Sequence, residues 1–137
     1  MSTNDATRPP VARQPDTHAD PFRVTATRPT ATLTVVHVVG ELDLATCPEF
    51  DRTINDELPA GSGAVSDVII DLTRLQLLSA SGVHCLLAAD TAARAARTRL
   101  QLVVGDTLVA HVLALLDLGD RLCLQPDLVT ARRAVVS

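Results

Sequence analysis

The stretch Val68-Ile69-Ile70-Asp71-Leu72-Thr73-Arg74-Leu75-Gln76-Leu77-Leu78-Ser79-Ala80-Ser81-Gly82-Val83 decides how the chain folds. Val68-Ile69-Ile70 is a short, continuous apolar run closed by Asp71, the pattern of a strand covered on both faces. Ser79-Ala80-Ser81-Gly82 then gathers small and hydroxylated residues ahead of an alanine-rich segment, Val83 to about Arg97, that reads as a helix with serines at its N-terminal boundary. A buried strand feeding a helix is the repeating unit of an α/β sheet.

Working outward, the same unit recurs. Upstream, a β-branched run covers Thr32 to Val39, preceded by Phe22, Val24 and Ala26 alternating with polar residues and by an Arg28-Pro29-Thr30 turn signal, which predicts two strands joined by a short connection. Gly40-Glu41-Leu42-Asp43 stops the second strand. Thr46-Cys47-Pro48-Glu49 has the spacing of a capping box, with Thr46 expected to accept from the Glu49 amide. The helix it opens runs from Cys47 to about Leu58, with Phe50, Ile54 and Leu58 on one face. Pro59 to Gly63 is a loop.

Downstream, Leu100 to Val104 returns to strand character, and Asp106 is placed to cap a helix from Thr107 to Leu116 in which Leu108, Val112 and Leu115 share a face. Arg121 to Leu124 is a short strand, and Asp127 opens a last helix through Ala134. The expected order, β-β-α-β-α-β-α-(β)-α, is a small mixed sheet of four or five strands packed against about four helices. Residues 1–21, with four prolines and almost nothing to bury, read as a flexible tail ahead of a single domain over 22–137.

Composition narrows function. Of 137 residues 47% are hydrophobic but only 1% aromatic, all twelve basic residues are arginines, and the net charge is −4. Stacking platforms for bases are missing, and the charge is of the wrong sign for a nucleic-acid footprint. No apolar run reaches the ~20 residues of a membrane span and no signal peptide is visible, so a cytoplasmic location is expected. Cys47, Cys85 and Cys123 are odd in number and form no CxxC pair; neither a disulfide framework nor a zinc site is expected, and they read as buried small hydrophobes.

In α/β sheets, sites form where strand ends meet helix N-termini. Three turns qualify: Gly40–Asp43, Asp71–Thr73 and Ser79–Gly82. Only the last opens a long helix with clustered hydroxyls, and Ser79 and Ser81 are also ordinary helix caps. Asp43 is an ordinary turn former. His84-Cys85 makes no catalytic dyad, because adjacent helical residues point about 100° apart. His37 and His111 read as accommodated structural residues, and Asp43 with Asp71 gives no metal set; no cofactor is expected.

Taken in order, Gly40-Glu41-Leu42-Asp43, Ile69-Ile70-Asp71-Leu72, Ser79-Ala80-Ser81-Gly82-Val83 and Leu115–Leu118 before Gly119 resemble the STAS domain of anti-sigma factor antagonists, over about Phe22 to Val136. The resemblance implies a non-enzymatic protein, monomeric or weakly dimeric, that docks onto an anti-sigma factor of the serine-kinase ATPase type and so frees a sigma factor. It places the contact at Gly40, Glu41, Asp43, Asp71, Ser79, Ala80, Ser81 and Gly82. In the family, a serine or threonine two positions before the glycine of an Asp-Ser-Ser-Gly motif is phosphorylated by that partner, which ends the interaction. Here the acceptor slot is Ala80, which cannot be phosphorylated, and the aspartate before it is replaced by Ser79. Ser81 and Ser79 remain as substitute acceptors. A module outside sigma-factor control, a scaffold or sensor that binds a small ligand or other STAS proteins, is the alternative.

Overall fold

The computed structural model describes residues 21–58, 66–118 and 121–136. The elements run β1 (Arg23–Thr30), β2 (Leu33–Leu42), α1 (Cys47–Glu57), β3 (Ser66–Leu78), α2 (Ala80–Ala95), β4 (Thr98–Val103), α3 (Leu108–Leu115), β5 (Leu124–Gln125) and α4 (Leu128–Val136). The five strands lie side by side in sequence order, β1 antiparallel to β2 and every later pair parallel. This is the mixed α/β architecture expected from the sequence.

Alternation along the strands assigns the two faces. Val36, Val38 and Leu42 of β2, Val68, Ile70 and Leu72 of β3, and Leu100 and Leu102 of β4 point into the main core with Phe50 and Ile54 of α1, Leu86 and Ala93 of α2, and Val109 and Leu113 of α3. Leu33, Val35, Ile69 and Val103 point the other way and pack on Ala131 of α4. The centre of the sheet is therefore covered on both sides, which is why β3 carries the unbroken apolar run Val68-Ile69-Ile70.

Several boundaries differ from the sequence reading. β3 does not end at Asp71–Thr73 but continues to Leu78, crossing an irregularity in its pairing with β2. Leu72 and Leu75 remain buried in the core, and Asp71 Oδ1 accepts hydrogen bonds from Thr73 N and Oγ1 at 3.0 and 2.7 Å, so the local polar signal is absorbed within the strand. Arg28-Pro29-Thr30 is not the hairpin turn but the irregular end of β1, with the turn at Ala31–Thr32; an edge strand can hold a proline because its outer N–H side has no partner to lose.

The caps differ too. Thr46 adopts a helical backbone and makes no side-chain cap to Glu49; its hydroxyl turns back into the preceding loop. Thr107, not Asp106, caps α3, its Oγ1 accepting from Ala110 N at 3.3 Å. Helix α2 begins at Ala80 rather than Val83. On α3 the face shared by Leu108 and Leu115 is exposed, while Val109 and Leu113 face the core.

The cysteines require the largest correction. Cys47 and Cys85 are buried as expected but are joined as a disulfide between α1 and α2, and Cys123 is exposed with a free thiol. A sequence separation of 38 hides their proximity from any local pattern. The expected tail up to residue 20, the Pro59–Gly63 loop and Gly119 lie outside the described residues.

Candidate functional site

Two of the three turns meet at one end of the sheet. Residues Glu41 and Leu42 at the end of β2 pair with Leu77 and Leu78 at the end of β3, so the chain leaves both strands side by side. The Leu42 carbonyl is the joint. It accepts from Ser79 N at 3.1 Å and from Ser79 Oγ at 3.4 Å. Gly82 is packed against it so closely that an added Cβ would lie 2.3 Å from that oxygen and 2.8 Å from Leu78 Cδ1. Glycine is required here by space rather than by backbone angle.

Each loop is also tied internally. Gly40 has φ 100°, a conformation in which a side chain is strained, and so turns β2 toward the loop. Asp43 Oδ1 accepts from Ala45 N at 3.0 Å and Thr46 N at 3.2 Å, an Asx turn. Thr46 Oγ1 donates to Glu41 O at 2.8 Å and accepts from Asp43 N at 3.0 Å. Asp43, half-buried, thus shapes the loop through one carboxylate oxygen.

In the second loop the two serines part company. Ser79 is the N-cap of α2, its Oγ accepting from Gly82 N at 3.2 Å while donating to Leu42 O. Ser81 is half-buried, and its hydroxyl has no hydrogen bond among the described residues. Ala80, at the first helical position, is exposed. The slot that the family resemblance marks for phosphorylation therefore opens to solvent at a helix N-terminus, with a methyl group where a hydroxyl would sit.

Asp71 is not part of this cluster. It lies seven residues before Leu78, roughly 20 Å along the strand, on the sheet face away from α2. There His37 Nδ1 pairs with Asp71 Oδ2 at 3.2 Å, in a shallow depression also lined by Arg23, Thr25 and Arg74. The site thus gathers Gly40, Glu41, Asp43, Ser79, Ala80, Ser81 and Gly82 and leaves Asp71 apart.

Two leucines beside the loops were missed by sequence reasoning. Leu44, directly after Asp43, is 76% exposed and Leu77, directly before Leu78-Ser79, is 43% exposed. A leucine inside the polar loop Glu41–Thr46 was the available signal. Together they border the paired loops with exposed apolar surface. Among the described residues no cluster of three His, Cys, Asp or Glu side chains could hold a metal, and no helix is long and apolar enough to cross a membrane.

With this geometry in view, comparison with known families is decisive. The family model described as Mlab, STAS domain, matches residues 25–130. The chain belongs to the STAS domain family. Among solved structures, this STAS domain is similar to an anti-sigma factor antagonist from Mycobacterium paratuberculosis, at 24% identity and a TM-score of 0.73, covering 85% of this chain and 96% of that one. It is similar also to the anti-sigma factor antagonist SpoIIAA in its unphosphorylated form, at 22% identity, a TM-score of 0.65, and 82% and 96% coverage. The phosphorylated form of the Bacillus cell fate determinant SpoIIAA matches at 21% identity with a TM-score of 0.61, covering 82% of this chain and 99% of that one. No match is found among curated proteins. At these identities the solved structures establish the STAS fold.

Proposed function

We propose that this STAS domain is an anti-sigma factor antagonist that binds an anti-sigma factor of the serine-kinase ATPase type through the paired loops Gly40–Asp43 and Ser79–Gly82, acting by contact and not by catalysis. The observation that carries this reading is the seating of Gly82 on the Leu42 carbonyl, which makes one surface of two loops and displays Ala80 at its edge. Exposed Leu44 and Leu77 supply the apolar part of the contact, and Glu41 and Asp43 its charge.

The same geometry supports a protein free of phosphorylation control. Ala80 has no acceptor oxygen, and the Ser79 hydroxyl is engaged on both sides. Ser81 is the one hydroxyl of this loop left to a kinase. A phosphate at a helix N-terminus is locally favourable, because unpaired N–H groups and the helix dipole stabilise negative charge there. Loss of binding on phosphorylation would therefore come from the partner's side of the contact, where about −1.5 to −2 charge must be desolvated beside Glu41 and Asp43.

The test is capture from the native host with wild type, Ala80→Ser and Ala80→Asp as baits. Aspartate at the first helical turn is well tolerated by the fold, so a weakened capture of an ATPase-type anti-sigma factor by Ala80→Asp alone is the expected result. Equal capture by all three baits would remove this loop from the contact. Incubation with the captured kinase and ATP, followed by peptide mass spectrometry, is expected to leave the wild type unmodified and to modify Ala80→Ser; stoichiometric phosphate on Ser81 of the wild type would overturn the unregulated reading.

A second reading, a STAS module that senses a small ligand, is favoured by one observation. A cleft of about 510 Å3 lies beside β4, lined by Leu100 and Leu122 together with Arg94, Arg99 and Arg121, whose guanidiniums pair with Asp90 and Asp67. Retention of a small anionic molecule by the purified protein, without capture of an anti-sigma factor, would favour it.

A further inference from the structure

The disulfide lies directly beneath the paired loops. Cys47 is the first residue of α1, one position after the Thr46 that closes the Gly40–Asp43 loop, and Cys85 lies one helical turn beyond Ser81 on α2. Their Cα atoms are 6.2 Å apart, within the range a disulfide spans without moving the backbone. Cys47 Sγ is also 3.4 Å from the Ser81 carbonyl oxygen. A thiol at Cys47 can donate to that carbonyl, whereas a disulfide sulfur has no hydrogen to donate. Cys47 can therefore tie α1 to α2 in two different ways, to the Ser81 carbonyl by a hydrogen bond when reduced and to Cys85 by a covalent bond when oxidised.

We infer that Cys47 and Cys85 form a reversible thiol–disulfide site that sets how firmly the Ser79–Gly82 turn is fixed to the start of α1. The oxidant class that fits a buried pair is a small peroxide. The Cys47 thiolate attacks one oxygen of hydrogen peroxide; the O–O bond breaks, water leaves after protonation, and Cys47 becomes a sulfenic acid. The Cys85 thiolate then attacks that sulfur, forming the S–S bond and releasing a second water. Two thiols lose two electrons and two protons, and one peroxide becomes two waters. A dithiol reductant returns both electrons by exchange.

The consequence for binding rests on the reading of the loops as the docking face. A covalent tie there removes motion that the partner would otherwise have to suppress, so the oxidised form docks more tightly. Cys123, exposed and distant in sequence from both partners, is the internal control.

The full-length chain is treated with hydrogen peroxide or with dithiothreitol, alkylated, and mapped by mass spectrometry. Expected is a linked Cys47–Cys85 peptide with only Cys123 alkylated after peroxide, three alkylated cysteines after reduction, and interconversion of the two forms. Amide exchange over Ser79–Val83 is expected to be at least about fivefold slower in the oxidised form, and Cys47→Ser is expected to abolish that difference, with Cys85→Ala as the second variant should the first misfold. Free alkylation of Cys47 and Cys85 after peroxide, or equal loop exchange in both forms, overturns the inference. If the bond forms and exchange slows but an anti-sigma factor is captured equally by both forms, the docking reading fails while the redox site stands.

Discussion

At Gly82 a single missing methyl group holds the candidate site together. The Leu42 carbonyl carbon and oxygen are backbone atoms, anchored by the pairing of β2 with β3, and cannot swing aside as the end of a flexible side chain would. Gly82→Ala gains up to about 1 kcal/mol of helix propensity but must push two loops apart, for which overpacking costs of about 1–3 kcal/mol are usual. The expected outcome is a lowered urea midpoint with unchanged slope, and weakened partner capture. A midpoint at or above that of the wild type would show that α2 is not seated on Leu42 as described. The motif glycine was legible in the sequence as a signature. Its reason was not, because the atom it makes room for belongs to a residue forty positions earlier.

The elements show the same division between local and distant causes. Strand and helix existence followed from periodicity within each segment, which is why the order of the nine described elements could be read. Boundaries failed where a distant partner overrode the local signal: Asp71 and Thr73 resemble a strand-ending turn, but Leu72 and Leu75 are held by the core and the strand continues. Asp127 is the opposite case, a cap whose whole mechanism is local. Its Oδ1 accepts from Thr130 N at 2.7 Å, and this hydrogen bond holds its carboxyl below the ordinary value of 3.8. A carboxyl depressed on folding stabilises above its unfolded value and loses that contribution as pH falls through its folded value. Helix α4 should therefore fray at its N-terminus only as the pH falls below about 3.8. Exchange of the Thr130 amide against pH checks this, and Asp127→Asn, which keeps an acceptor but cannot titrate, should flatten the profile.

For the molecule as a whole, the shortage of rings concentrates dependence on one of them. Phe22 packs against the main core only partly buried, and the one ring fully buried within it is Phe50 on α1, the same helix whose first residue carries the inter-helix disulfide. A chain with 1% aromatic residues has to build its core from Leu, Val, Ile and Ala, and the helical spacing of Phe50 with Ile54 predicted the face that enters it. What composition could not convey is that α1 follows directly on the Gly40–Asp43 loop and is joined to α2, the helix that the Ser79–Gly82 turn opens. Phe50→Ala should cost about 3–5 kcal/mol, because surrounding aliphatic side chains cannot refill a volume of that size, whereas Phe50→Leu should cost less than about 1.5 kcal/mol. The informative comparison is between global and local effects. If α1 positions the loops, Phe50→Leu, still folded by circular dichroism, should raise amide exchange at Ser79–Gly82 more than at the buried β3 residues Ile69 and Ile70. A uniform rise across both would mean that the ring stabilises the fold but leaves the docking surface to the loops' own hydrogen bonds.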